Sequence, residues 1–171
     1  ALEIRKISLG EDHPDVASSL YNIAQIYYTQ DDYENALALN QQALEIRKIS
    51  LGKDHPDVAK SLNNIALIYV MQDDYKQALR LNQQALKIYK VSSSENDSNI
   101  AMTLSNIALI YAIQDEYDKA LDFHRQALQI RKKSLGEHAP DTVESIINIA
   151  EIHEAQEDYD ESDRKSTRLN S

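Results

Sequence analysis

The chain repeats itself, and this feature constrains the fold more than any single motif does. The segment ALEIRKISLG opens the chain, recurs at Ala43, and has drifted copies that begin at Ala85 and Ala127. The period is therefore 42 residues, and the first two copies are identical at 33 of these 42 positions. A fixed period of this size indicates units that cannot bury their own apolar faces and stack on their neighbours instead.

Each copy is predicted to form two helices. In the first helix, apolar residues recur at helical spacing and would bury one face. In the first copy these residues are Ala17, Leu20, Ile23, Ala24 and Tyr27. The second helix is expected from about Tyr33 to Ser50, and Gly10, Gly52 and Gly136 follow second helices where a left-handed cap residue fits. The fold class is therefore all-α.

The boundaries between helices carry recurring polar signals. His-Pro-Asp at 13–15 and 55–57 is typical of a helix start, because proline suits the first turn and Asp favours the positive end of the helix dipole. Capping or loop packing accounts for His13 and His55 better than metal binding or catalysis. The acidic pairs Asp31-Asp32, Asp73-Asp74 and Asp115-Glu116 are expected in the turn between the two helices of each copy.

Charge and composition exclude several classes of function. With 28 acidic and 18 basic residues the formal charge is -10, which argues against a nucleic-acid-binding surface. The chain has no cysteine, so a disulfide framework, a thiolate zinc site and a cysteine nucleophile are excluded. No apolar run approaches the roughly 18 to 20 residues of a membrane helix, and no signal-peptide pattern is present. A cytoplasmic protein without a membrane contact is expected.

No constellation of residues indicates catalysis, and the segment is not expected to be an enzyme. His153-Glu154 begins a zinc-helix motif, but Glu157 stands where the second His belongs. His124 and His138 are interpreted as a substitution within the scaffold and a loop residue. A glycine-rich phosphate loop and a nucleophile elbow are both missing. We therefore predict no catalytic residue, no metal and no cofactor.

The pattern Leu20-x2-Ile23-Ala24-x2-Tyr27, followed by Ala36 and Ala43, resembles the tetratricopeptide repeat. The LGxDHPDVA connection, with ALEIRK before it and LNNIALIY after it, resembles the kinesin-light-chain subclass. The resemblance implies an α-solenoid, a right-handed superhelix of antiparallel helix pairs whose first helices line a concave, peptide-binding surface. At one position of the second helix the family prefers an aromatic residue, whereas this chain has polar residues. Looser packing is therefore expected around that position. The residues there are Asn40, Asn82 and His124.

The period also predicts how the chain is divided. The expected segments are 1–10 as the end of a truncated preceding repeat, 11–52, 53–94 and 95–136 as repeats one to three, 137–162 as an incomplete fourth repeat, and 163–171 as a tail. The sequence DRKSTRLNS of that tail leaves the repeat pattern and resembles the translation of an adapter oligonucleotide. The chain is thus interpreted as a fragment of a longer protein.

Two observations predict a peptide-binding groove on the first helices. Five of the nine differences between copies one and two fall on one arc of about 100°, opposite the apolar stripe. Beside that arc an asparagine recurs in all four copies, and an amide both donates and accepts hydrogen bonds, so it could grip a peptide backbone. The predicted groove residues are Asn22, Asn64, Asn106, Asn148, Tyr21, Gln25, Lys60, Asn63, Leu67, Met71, Met102, Ser105, Leu109 and Glu151.

Both observations have an alternative explanation. The arc could reflect drift on a solvated surface, and the asparagines could form structural hydrogen bonds between adjacent helices. On the predicted arc only Lys60 is basic, while copy four contributes Glu144, Glu151 and Glu154. A ligand with an apolar anchor and a basic end over copy four fits this surface better than the acidic cargo that the resemblance implies.

The expected function is that of a non-catalytic scaffold that binds an extended peptide or a partner helix. By resemblance, the full protein would be a cargo adaptor related to kinesin light chain, with a microtubule motor heavy chain bound through other regions. The alternative is a sensor or regulatory region of a larger multidomain enzyme or signalling NTPase, such as one fused to an ADP-ribosyltransferase or nucleotide-binding domain. The sequence does not choose between them, and it leaves the ligand and the oligomeric state open.

Overall fold

The structure, a computed structural model, describes residues 2–92 and 98–169, with side chains described as far as residue 157 and at Tyr159. This part of the chain contains eight helices and no strand, as the sequence predicts. The helices are α1 (Leu2–Leu9), α2 (Pro14–Thr29), α3 (Tyr33–Leu51), α4 (Pro56–Met71), α5 (Tyr75–Ser92), α6 (Ser98–Ile113), α7 (Tyr117–Leu135) and α8 (Pro140–Leu169).

The two His-Pro-Asp motifs begin helices α2 and α4. The imidazole Nδ1 of His13 accepts a hydrogen bond of 3.1 Å from the backbone N–H of Asp15, and His55 does the same with Asp57. Each histidine is the N-cap, so it satisfies a backbone donor that the first helical turn leaves without a partner. The capping interpretation of His13 and His55 is confirmed.

The first acidic residue of each turn carries an unusual backbone. Asp31, Asp73 and Asp115 all have φ of 58°, a left-handed conformation that Asp tolerates better than most residues. In each turn the Asp carboxylate also accepts a hydrogen bond from the tyrosine that opens the second helix, for example Tyr75 Oη at 2.6 Å from Asp73 Oδ1. The acidic pairs are therefore structural, and their predicted place between the helices is confirmed.

The glycines that follow second helices differ in one respect from the expected cap. Gly52 has φ 91° and ψ 151°, and Gly136 has φ 90° and ψ 168°. The positive φ is as predicted, but ψ places both residues outside the left-handed helical region, in a region that only glycine adopts readily. A Cβ at either position would meet no atom within 4 Å, so backbone conformation, not space, requires glycine there.

The chain divides into two compact units, residues 1–94 and 95–171. In the first unit α2 packs on α3 and α4 on α5, while α1 contacts α2 and α3 contacts α4. In the second unit α7 packs against both α6 and α8. Each helix thus packs mainly on its neighbours in sequence, which is the arrangement of helix pairs in an α-solenoid and confirms the predicted fold class.

Small residues form the seam along which the two helices of a pair cross. Each second helix carries two alanines seven residues apart, and all six are at most 1% exposed. They are Ala36 and Ala43 on α3, Ala78 and Ala85 on α5, and Ala120 and Ala127 on α7. Larger residues of the facing first helix, such as Leu62 and Leu104, fill the core beside them. The predicted apolar stripe is therefore the core of each pair.

An arginine joins each of the second helices α1, α3 and α7 to the first helix that follows it. Arg47 Nη1 lies 2.6 Å from Ser61 Oγ, and Arg5 Nη1 lies 2.7 Å from Ser19 Oγ. The IRK sequences at 4–6, 46–48 and 130–132 place basic residues near helix ends, where they complement the helix dipole. Their arginine also bridges consecutive repeats, because it lies at the end of one helix and points to the start of the next.

The polar residues at the position where the family prefers an aromatic side chain are buried. Asn40, Asn82 and His124 are 2%, 1% and 3% exposed. The amide of Asn40 donates to the carbonyl oxygen of Ala36 at 2.9 Å, whereas Asn82 Oδ1 and His124 Nδ1 are buried without a partner among the described residues. The position therefore faces the interior although its residues are polar, and two of its three polar side chains are not fully satisfied.

The last helix, α8, runs from Pro140 to Leu169. It therefore crosses the boundary expected between residues 162 and 163. The interpretation of residues 163–171 as a non-native tail concerns side chains that lie outside the described part of the chain.

Candidate peptide-binding groove

The second unit contains a groove of about 670 Å³ to which helices α6, α7 and α8 all contribute. Six of the predicted site residues line it together: Met102, Ser105, Asn106, Leu109, Asn148 and Glu151. The first four come from α6 and the last two from α8, so the side chains face one another because α6 and α8 both pack beside α7. The structure thus brings this part of the predicted surface into one concave site.

The other predicted residues lie in the first unit, on α2 and α4. Asn22 and Lys60 are exposed, as are Leu67 at 37% and Met71 at 48%. Tyr21, Gln25 and Asn64 are half-buried, and Asn63 is only 2% exposed, so its side chain lies beneath the surface. The cavity of about 520 Å³ in this unit is lined by other residues, including Lys6, Glu45 and Ile46.

One tyrosine of the predicted set already has a neighbour within its unit. The guanidinium of Arg47 lies 5.8 Å from the centre of the Tyr21 ring, within the range of a cation–π contact. Tyr21 is thus held against α3, which leaves only part of its ring for a ligand.

The four recurring asparagines make no hydrogen bond to another described side chain. Asn106 and Asn148 are half-buried on opposite walls of the groove, where their amides can reach a ligand. Asn64 Nδ2 is buried and lacks a partner, while Asn22 is exposed. The structural bond between adjacent helices that could explain such a ladder is thus not present in the described part of the chain.

The two walls of the groove differ in chemistry. On α6, Met102 and Leu109 are 39% and 46% exposed and form an apolar wall. On α8, Glu144 and Glu151 are exposed and line the same groove, which makes that wall acidic. The contrast suits a ligand that is apolar along one side and basic along the other.

Two buried polar side chains line the floor of the groove. Arg131 is 7% exposed, and its Nη1 donates to the carbonyl oxygen of Asp141 at 3.1 Å and to Ser145 Oγ at 2.6 Å. Burial, and then the nearby charge of Arg131, lowers the pKa of His124 to about 4. At neutral pH His124 is therefore uncharged, and the floor carries the single positive charge of Arg131.

Sequence reasoning missed His124 and Arg131 as groove residues because both belong to a second helix. The sequence pattern indicates a substitution within the scaffold at His124 and does not mark Arg131 as a binding residue. One signal could have found His124: it replaces an asparagine that the first two copies share, on the face of the second helix that turns towards the first helices. Arg131 recurs as Arg5 and Arg47, with Tyr89 in the remaining copy, so the residue type gave no sign of a role particular to this groove.

The described residues, 2–92 and 98–169, contain neither a metal-ligating cluster nor a membrane-spanning helix. No group of three or more His, Asp or Glu side chains there could hold a metal ion. No helix there combines the length and the apolar character that crossing a membrane requires.

Known structures of other proteins share the fold. BtubC (BKLC) from P. vanneervenii is 22% identical with a TM-score of 0.80, over 98% of this chain and 70% of that one. A Podosopora anserina putative kinesin light chain with nearly identical TPR-like repeats is 20% identical with a TM-score of 0.74, over 99% and 80%. The apo form of RapI is 22% identical with a TM-score of 0.77, over 92% of this chain and 55% of that one.

The family itself is identified by sequence. No curated protein matches the chain. The sequence model of the tetratricopeptide repeat, however, matches residues 1–49, 29–90 and 99–164, which together make up most of the chain. Repeats of this type are generally protein-interaction scaffolds, and the groove between first helices is where the sequence places such an interaction. The chain belongs to the tetratricopeptide repeat family.

Proposed function

We propose that this chain binds an extended peptide of a partner protein in the groove formed by α6, α7 and α8. One observation carries the proposal: the amides of Asn106 and Asn148 line opposite walls of one groove, and neither bonds to another described side chain. Each amide can donate to a peptide carbonyl and accept from a peptide N–H, so the pair can hold a backbone without reading its sequence. The role that we propose for this groove is non-catalytic.

The walls suggest the sequence of the ligand. An apolar side chain would pack against Met102 and Leu109, and a Lys or Arg would lie beside Glu144 and Glu151. In the whole protein we propose the role of a cytoplasmic cargo adaptor that reaches a motor heavy chain through other regions. The putative kinesin light chain among the similar structures supports that role.

The test uses a peptide library displayed on phage, with nine random positions, selected against the purified chain. Peptides enriched for an apolar residue and a Lys or Arg are then synthesised and titrated by fluorescence anisotropy. Asn106→Ala with Asn148→Ala should weaken the best peptide about tenfold, since each lost hydrogen bond contributes about 0.5 to 1.5 kcal/mol. Helicity and melting temperature should stay unchanged.

The matched control removes two amides elsewhere. Gln83 and Gln84 are exposed on α5, and Gln83→Ala with Gln84→Ala should leave the affinity unchanged. If the Asn106/Asn148 variant instead melts several degrees lower and binds normally, the asparagines are structural and the proposed site is wrong.

A further inference from the structure

The apolar wall of the groove is recessed at one residue, Ser105. Met102, Ser105 and Leu109 follow one another on α6 at spacings of three and four, so they lie on one side of that helix. All three line the groove. Because serine is much smaller than methionine or leucine, the wall has a gap between its two large side chains, which we call the Ser105 notch.

The surface of the Ser105 notch is apolar although serine is a polar residue. Ser105 is half-buried, and its Oγ is buried without a hydrogen-bond partner among the described residues. The part of the side chain that the groove can reach is therefore the Cβ methylene. An apolar ligand side chain can enter here without separating a further polar group from water.

The first copy shows what a larger side chain does at this position. Two repeats earlier, Tyr21 holds the place of Ser105, and Arg47 holds the place of Arg131. The guanidinium of Arg47 lies 5.8 Å from the centre of the Tyr21 ring, so the ring extends from the first helix of its copy to the second. In copy three Arg131 belongs to the floor of the groove. A tyrosine that followed the same course there would fill the space above this floor.

We propose that Ser105 determines which ligands the groove accepts, because it leaves room for one aliphatic side chain of about the size of leucine between Met102 and Leu109. This inference rests on the proposed function and adds to it the place and the size of the apolar anchor. Asn106 follows Ser105 in the chain, and Asn148 lies on the facing wall. A peptide backbone held by these two amides therefore passes over the Ser105 notch and can direct one side chain into it.

The probe is the tightest-binding peptide from the phage selection described above, labelled with a fluorophore. Alanine scanning identifies its anchor, the residue whose replacement weakens binding to the native chain most. Two versions are then compared by fluorescence anisotropy, one with leucine and one with alanine at the anchor. The native chain should bind the leucine version about tenfold more tightly, because a leucine side chain buries more apolar surface than alanine does.

The variant Ser105→Tyr should remove this preference. It should weaken the leucine peptide about tenfold and the alanine peptide less than about threefold, since the ring takes the space that only the leucine needs. Ser134→Tyr, the same change at an exposed site on α7, should leave both affinities unchanged. Ser105→Ala should also keep both affinities, because the Ser105 hydroxyl has no partner to lose.

Circular dichroism and thermal melting show whether Ser105→Tyr is folded, as the tyrosine at the same position of copy one leads us to expect. If it is not, Ser105→Asn takes its place, because copy two carries Asn63 at this position. Asparagine is smaller than tyrosine, so it should weaken the leucine peptide by about threefold and leave the alanine peptide unchanged.

Two results would overturn the inference and leave the proposed function standing, provided that Asn106→Ala with Asn148→Ala still weakens binding. One is an unchanged affinity of the leucine peptide for folded Ser105→Tyr. The other is an equal loss for the leucine and alanine peptides, which would show that the anchor lies elsewhere. If the asparagine variant binds every selected peptide normally, the proposed function fails and this inference fails with it.

Discussion

Arg131 Nη1 lies 2.6 Å from Ser145 Oγ, and this hydrogen bond joins the second helix of copy three to the first helix of copy four. Arg47 and Ser61 form the same bond between copies one and two, also at 2.6 Å. Between copies two and three the equivalent places hold Tyr89 and Thr103. The exchange of both partners at once indicates that the two positions act as a pair.

Replacing Arg131 by Lys should lower the free energy of unfolding by about 1 to 2 kcal/mol, because one ammonium cannot serve both the Asp141 carbonyl and Ser145 Oγ as the planar guanidinium does. Urea unfolding followed by circular dichroism measures the change. The exposed Arg125 on the same helix is the control, and Arg125→Lys should change stability by less than about 0.5 kcal/mol. Equal unfolding midpoints for the two variants would show that the bridge contributes nothing.

Substitutions of Asp73 test how much its left-handed backbone conformation restricts the residue type at this turn position. With φ at 58°, a β-branched side chain there is strained, so Asp73→Val should lose about 2 kcal/mol, including the hydrogen bond from Tyr75. Asp73→Gly should lose less, because glycine adopts positive φ freely and offsets the lost bond. Thermal melting compares both with Asp54→Val, the same change at an exposed loop aspartate. A glycine variant less stable than the valine variant would contradict the conformational explanation.

His124 should make stability depend on pH. Its folded pKa of about 4 is below the ordinary 6.5, so the unfolded chain binds a proton more readily. The stabilisation is therefore full above pH 6.5 and is lost as the pH falls towards 4, with a loss of about 2 kcal/mol by pH 5.

The measurement compares the native chain with His124→Asn, which introduces the residue that copies one and two carry at this position. Urea unfolding at pH 7 and pH 5 should show a smaller pH effect in the variant. His153→Asn, at an exposed site, should keep the native pH dependence. The same pH dependence in all three proteins would assign the effect to other groups.

The fold followed from the sequence because its signals recur in several copies. His13 and His55 cap helices as predicted, and Ala36 and Ala43 lie in the core. The 42-residue period alone could not show that Asn40 faces the interior, because a polar side chain usually indicates an exposed position. The structure nevertheless buries it. Burial at that position is decided by the approach of two helices, which is a tertiary effect.

The candidate site was predicted only in part for a related reason. The first-helix residues Asn106 and Asn148 could be placed on one groove because both belong to the same register of successive copies. The floor, with His124 and Arg131, comes from the second helix, and its contribution depends on how deeply α7 lies between α6 and α8.

The spacing of the arginine bridge has a genetic consequence. Arg47 and Ser61 are 14 residues apart and lie on either side of a repeat boundary. A duplication or deletion of one 42-residue unit leaves each pair intact when its breakpoints fall outside residues 47–61 and the equivalent residues of the other copies. Unequal recombination between near-identical copies can therefore change the length of the array without breaking the contact that joins one copy to the next.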